Sequence, residues 1–198
     1  MTKRDKIIKR IFDFSISLFG LLIVFWLIFF LVILASLDTR QWGIFSQWRI
    51  GKDAKPFKIF KIRSMRNIKG VTTTVTSKGD PRISKFGVLI RKLKLDELPQ
   101  LWNVLIGKMS FVGPRPDVAG YLDKVKGEDT IIRSLKPGIT GPASIHFRNE
   151  EELLSQQSDP ERYNDEVIWP EKVRINRHYI ENYSFWEDIR CILKTIIG

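Results

Sequence analysis

Residues 91–116 read RKLKLDELPQLWNVLIGKMSFVGPRP, with two adjacent carboxylates, Asp96 and Glu97, at the centre. Leu95-Asp96-Glu97-Leu98-Pro99 has the marks of a helix start. Asp96 is a favoured N-cap, Glu97 suits the first turn, and Pro99 falls where amides have no intrahelical partner. The helix it opens is predicted over 98–106, ending at Gly107. On spacing alone, a well-capped helix is a sufficient reading. The neighbours add to it: Arg91, Lys92 and Lys94 lie just before, and Gly113-Pro114-Arg115-Pro116 just after. Free amides at a helix start, together with several cations, make a place for phosphate. A carboxylate in that setting is expected to stay ionised and to act as a nucleophile or hold a divalent metal.

Upstream, the chain is built to meet a membrane. Residues 14–37 are 24 positions without a charge, long enough at about 1.5 Å per residue to cross a hydrocarbon core of about 30 Å. The run is too long for a cleavable signal, and no comparably apolar partner exists elsewhere to bury it on all sides. Five basic and two acidic residues precede it (1–13), and nine basic and two acidic follow (38–69). Basic flanks mark the cytoplasmic side, so positive charge at both ends predicts a helix that enters and leaves by one face.

Between this run and Asp96, alternation over 44–50, a turn at Gly51-Lys52-Asp53 and a returning strand at 57–63 predict a hairpin studded with Lys58, Lys61 and Arg63. Those cations fit a solvated strand face as well as lipid headgroups or a diphosphate. Residues 68–80 read as a surface loop. Ile83, Phe86, Leu89, Ile90 and Leu93 recur at helical spacing after the Asp80-Pro81 turn, leaving Arg82, Lys85, Arg91 and Lys92 on other faces. Downstream, 117–135 reads as one or two helices, and 136–142 as a turn whose glycines allow either close substrate approach or positive φ. Residues 149–171 carry eight acidic residues against Arg162 alone, a face expected to turn from anionic lipid. Trp186, Ile189, Leu193 and Ile196 fall at helical spacing, which suits core packing or, rather better, an amphipathic helix lying in the interface.

Composition narrows the function classes. There are 33 Lys and Arg against 22 Asp and Glu, a net +11 that calls for an anionic partner. Nucleic acid is not favoured, since no zinc-finger, RRM or helix-turn-helix pattern occurs and the apolar run would have no purpose. A lone Cys191 makes neither an intrachain disulfide nor a multi-cysteine metal site, and His146 and His178 lack second-ligand spacing. No Walker-type loop or Gly-x-Gly-x-x-Gly motif is present.

The run LDELPQLWNVLIGKMSFVGPRP, with KRIFDF (9–14) and DPRISKFG (80–87) before it and KPGITG (136–141) after, resembles the bacterial sugar transferases, the small monotopic phosphoglycosyltransferases. The resemblance spans nearly the whole chain. It implies transfer of a sugar-1-phosphate from a nucleotide sugar, usually a UDP-sugar, to a polyprenol phosphate such as undecaprenyl phosphate, with release of UMP. Asp96 is then the nucleophile, Glu97 its acid/base or metal partner, and Mg²⁺ the cofactor. Arg91, Arg115, Lys61, Arg82 and Pro114 would bind substrate. The family bends its membrane helix at a Ser-Pro pair, whereas Phe25 and Trp26 stand at the corresponding positions here, so charge symmetry favours re-entry while the missing proline leaves a full crossing open. It also carries an Asp where this chain has Asn176.

The resulting expectation is an α/β (α+β), mostly helical chain. Residues 1–40 form a re-entrant membrane helix, and 41–198 a compact catalytic domain with a small β-hairpin and amphipathic interfacial helices, on the cytoplasmic face of the bacterial inner membrane. The competing expectation is a non-catalytic protein that binds anionic membranes and has no use for the Asp-Glu pair.

Overall fold

The computed structural model describes residues 1–68 and 80–197, so the loop expected at 68–80 lies almost wholly outside the described residues. Helix α1 (Lys3–Thr39) opens on a capping box: the Thr2 hydroxyl accepts from the Asp5 amide, and the Asp5 carboxylate from the Thr2 amide. It continues unbroken for 37 residues, roughly 55 Å of helix at 1.5 Å per residue. The break expected for re-entry is therefore not seen. With no proline between Thr2 and Arg40, no ring clashes with a carbonyl and no amide is lost from the i→i−4 ladder.

The rest is mostly helical with a small hairpin, as expected, and a second short ladder that was not anticipated. Strands β1 (Ile44–Ile50) and β2 (Pro56–Ile62) form the antiparallel hairpin, with Ser46 opposite Phe60 and Trp48 opposite Lys58. Helix α2 (Lys85–Lys92) is capped by the Ser84 hydroxyl, which accepts from the Gly87 amide. A 3-10 turn at Leu95–Glu97 leads into α3 (Gln100–Leu105) and then β3 (Ser110–Val112). Only 3-10 turns, Leu122–Lys124 and Gly127–Ser134, occupy the segment expected to hold one or two helices. Strand β4 (Gly138–Thr140) then pairs in parallel with β3. Helices α4 (Pro142–His146), α5 (Glu150–Ser155), α6 (Pro160–Tyr163), α7 (Trp169–Glu181) and α8 (Phe185–Ile197) complete the chain, with a π-helical turn between α6 and α7.

Glycines 113 and 138 are explained by neither substrate approach nor positive φ. A Cβ on Gly138 would lie 2.2 Å from the Gly113 nitrogen, and one on Gly113 would lie 2.4 Å from the Lys136 carbonyl oxygen. Only a bare backbone lets β3 and β4 come this close.

Three apolar clusters hold the fold. One joins Ile50, Val112, Leu122, Ile132, Leu135, Val173, Tyr179, Ile180 and Cys191; a second packs Phe57 and Ile59 of β2 against Val104 and Met109. The third sets Leu31 and Ala35 of α1 against Ile62 and Ile90. Helix α1 thus docks at both ends: Lys9, Asp13 and Ser17 are buried near its start, and Leu31, Ala35 and Thr39 near its finish. The spacing of four within each trio puts it on one face of the helix. Outward stand Phe19, Leu22, Ile23, Trp26 and Phe30, each more than half exposed. Helix α8 is amphipathic as anticipated, burying Asp188 and Cys191 while exposing Trp186, Leu193 and Ile196.

Candidate functional site

Asp96 does not cap a helix. Lys94 takes a left-handed φ of 56°, the 3-10 turn follows, and Pro99 rather than Asp96 precedes α3, with no side-chain cap. This irregular entry turns Asp96 inward, to 5% exposure, and no hydrogen bond to its carboxylate is found among the described residues. Glu97 next to it is clamped. Its Oε1 accepts from Lys61 Nζ at 2.8 Å and from the Arg115 guanidinium at 3.2 Å. Asn103 of α3 fixes the turn against β2: its amide donates to the Lys58 carbonyl at 2.8 Å, and its Oδ1 accepts from the Phe60 amide at 3.2 Å.

The two carboxylates are driven in opposite directions. Burial raises Asp96 above the ordinary carboxylate value, with Lys61 opposing and Glu97 adding to the rise. Burial would raise Glu97 too, but Lys61 and then Arg115 outweigh it and hold the group well below the usual range. The cations thus prevail at Glu97, whereas at Asp96 burial outweighs them and leaves the carboxylate more basic than an ordinary one. Divergent environments for neighbouring carboxyls are how sites assign different roles to like groups.

Lys61 and Arg115 are therefore brought to the centre. Arg91 lies close enough to act electrostatically on Asp96, while its guanidinium pairs with Glu151 of α5. Arg82 grips the Asp80 carboxylate through its Nε at 3.0 Å and its terminal nitrogen at 2.6 Å. Pro114 is buried, and its carbonyl accepts from the Gly138 amide at 2.8 Å, which anchors the turn that presents Arg115. Asn176 is buried on α7, its Oδ1 without a hydrogen-bond partner among the described residues.

Sequence reasoning missed two members of the site. A small cleft is lined by Arg49, Ile59, Lys61, Gln100, Arg115, Pro116 and Gly138. Arg49, which the sequence offers only as part of a strand alternation, has a buried Nε without a hydrogen-bond partner among the described residues. Asp117 follows the Gly-Pro-Arg-Pro turn directly. Burial pushes its carboxyl up to about 6, against the pull of Lys172, Arg49 and Arg115. The signal available was an acid two residues after an arginine aimed by prolines.

Metal fit turns on the donor set. Among the described residues no group of three or more His, Cys, Asp or Glu side chains converges. The unengaged Asp96 carboxylate beside Glu97 still fits a hard cation of the Mg²⁺ type, which is usually bound through one or two carboxylates, substrate phosphates and water.

The site is thus a buried Asp96 beside a partly buried Glu97, with Lys61, Arg115 and Arg91 around them. The chain matches the family model described as bacterial sugar transferase over residues 4–198, and it belongs to that family of enzymes. Among its relatives, an uncharacterized sugar transferase, EpsL, of Bacillus subtilis (strain 168) is 35% identical over 195 residues, 96% of this chain and 86% of its own length. A UDP-glucose:undecaprenyl-phosphate glucose-1-phosphate transferase of Escherichia coli (strain K12) is 32% identical over 197 residues, 97% of this chain but 40% of that protein. A putative undecaprenyl-phosphate N-acetylgalactosaminyl 1-phosphate transferase, also of Bacillus subtilis (strain 168), is 42% identical over 128 residues, 64% of this chain and 72% of its own. The chain thus spans less than half of some relatives and most of others.

Proposed function

We propose that this chain transfers a sugar-1-phosphate from a UDP-sugar to a polyprenol phosphate of undecaprenyl type, through a covalent aspartyl phosphosugar. The observation that carries the reading is the contrast between Asp96, buried and without a side-chain hydrogen bond among the described residues, and Glu97, held ionised by Lys61 and Arg115. In the first step an Asp96 carboxylate oxygen attacks the phosphorus bearing the sugar. The bond from that phosphorus to the bridging diphosphate oxygen breaks, and UMP leaves with the electron pair. In the second step an oxygen of the polyprenol phosphate attacks the same phosphorus and frees the Asp96 carboxylate. Lys61, Arg115 and Arg49 offset the charge of the donor diphosphate, work that phosphoryl transfer asks of a protein above all else. Glu97, beside Asp96, would hold Mg²⁺, which when bound supplies further charge neutralisation at the phosphates.

Topology supports an acceptor arriving from lipid. Because both ends of α1 dock on the same domain, the helix brings its apolar outer face to the bilayer without carrying either end across. We place the domain on the cytoplasmic face of the inner membrane, where nucleotide sugars are soluble and the basic flanks belong.

The test uses purified full-length chain and a panel of UDP-sugars without polyprenol phosphate. Intact-protein mass spectrometry should show one added sugar phosphate on Asp96, together with UMP release. An adduct on another residue, or normal turnover by Asp96→Asn, would overturn the assignment.

A further inference from the structure

The KRIFDF segment (9–14) lies outside the reacting centre, yet Lys9, Arg10, Phe12 and Asp13 reach into the domain. Asp13, 2% exposed, accepts through one oxygen from the Ser110 hydroxyl at 3.1 Å and the Phe111 amide at 3.0 Å. That amide has no place in the β3–β4 ladder, whose register pairs Ser110 with Gly138 and Val112 with Thr140. One turn earlier, Arg10 donates to the carbonyls of Val104 at 2.8 Å and Leu105 at 2.7 Å, the last two residues of α3. Lys9 pairs with Asp188 at 2.5 Å, and Asp188 also accepts from the Tyr179 and Tyr183 hydroxyls.

We propose that Asp13 and Arg10 are positioning residues: one turn of the membrane helix grips α3 and β3 and so sets Glu97 against Arg115. The segment from Glu97 to Arg115 is α3, a turn and β3, and its two outer ends carry the partners of the site's ion pair. Arg10 fixes the far end of α3, where carbonyls lack intrahelical donors and the dipole favours a cation. Asp13 fixes β3 three to five residues before Arg115. Neither side chain is bonded to Glu97, Arg115 or Asp96. A buried carboxylate costs several kcal/mol of desolvation where an apolar residue would pack freely, so its use here is as a two-pronged acceptor of defined direction. The membrane helix is on this view part of the catalytic frame as well as an anchor.

This inference rests on the functional reading above, and a double-mutant cycle separates the two. If Asp13 acts through Arg115, Asp13→Ala should lower kcat about 10- to 100-fold with the donor KM little changed, and should cost little more in an Arg115→Ala background. Asp13→Asn keeps an acceptor oxygen and should recover most of the activity. Lys9→Met, which breaks the ion pair one turn away, should combine additively with Arg115→Ala. Additive loss for Asp13→Ala, or no recovery by Asp13→Asn, would overturn the positioning role while leaving the sugar transfer standing. Absence of transfer by the unmodified chain would overturn both. Should Asp13→Ala not fold, Arg10→Gln is read in the same way against Glu97→Gln, and additivity there again refutes the grip.

Discussion

Lys61 Nζ and Glu97 Oε1 lie 2.8 Å apart although 36 residues separate them in the chain. The contact welds the second strand of the hairpin to the turn that carries Asp96, and Arg115 joins the same oxygen from the β3 side. Three segments thus converge on one carboxylate oxygen. A partly buried ion pair brings little net stability, because desolvation offsets much of the Coulomb attraction. On the proposed function, its value would lie in holding two cations in place before a diphosphate arrives.

Glu97→Gln tests that arrangement. A glutamine in an ordinary first turn would be structurally bland, but this one would sit between two cations with no charge to offer. We predict a loss of two or more orders of magnitude in kcat and, in urea unfolding, a destabilisation of about 2–3 kcal/mol, since removing one partner leaves the others uncompensated. Unfolding free energies equal to the unmodified chain would show that Lys61 and Arg115 do not depend on Glu97.

How much of this was legible in the sequence depends on the range of the interaction. The hairpin, α2, the apolar length of α1 and the amphipathic α8 follow from periodicity and charge, which are local. The conformation at Asp96 did not. Asp-Glu-Leu-Pro spells a capped helix, and a left-handed Lys94 with burial against β2 overrides it. Gly113 and Gly138 likewise answer to a strand contact 25 residues apart in sequence, invisible to any turn rule. Arg49 was missed because its meaning comes from the cleft, which exists only after β1, β2 and β4 have come together, and Asp117 because Lys172 and Arg49, which act on it, are remote in sequence.

Activity should require a hard divalent cation. Chelation with EDTA is predicted to abolish transfer, and Mg²⁺ to restore it better than Ca²⁺, because few protein ligands leave the remaining positions to phosphate and water. Full activity in EDTA would remove the metal from the reaction.

Asp117 gives a pH signature. Its carboxyl is pushed up to about 6 in the folded chain from an ordinary 3.8, chiefly by burial. A raised folded value means that the group favours folding below its unfolded value and that this contribution is lost as pH rises through the folded value. Between about pH 4 and 6, stability should therefore fall by about 2 kcal/mol on this account, taking roughly 1.4 kcal/mol per pKa unit and discounting for partial exposure. Asp117→Asn should flatten that slope in urea titrations at successive pH values. An unchanged slope would assign the titration elsewhere.

The last prediction concerns sidedness. Burial of Lys9, Asp13 and Ser17 at one end of α1 and of Leu31, Ala35 and Thr39 at the other ties both ends to one domain. A full crossing would tear one trio from its partners: either Lys9 from Asp188, leaving buried charges unpaired, or Leu31 and Ala35 from Ile62 and Ile90. On the proposed arrangement the apolar outer face would instead lie in the bilayer's near leaflet, with the basic residues at both ends reaching headgroups. The absent Ser-Pro bend is then no obstacle, since a helix docked along a domain need not turn back to keep its ends on one side. Cysteine labelling checks this, with the buried Cys191 removed. Thr2 is a poor labelling site because its hydroxyl closes the capping box, so the probe goes at Lys3, exposed at the helix start, and the reference at Lys126 on the domain. In intact cells and in inverted membrane vesicles, Lys3→Cys and Lys126→Cys should react with an impermeant maleimide under the same condition and resist it under the other. Opposite sidedness would mean that α1 spans the membrane and that its docking on the domain is not the arrangement in the bilayer.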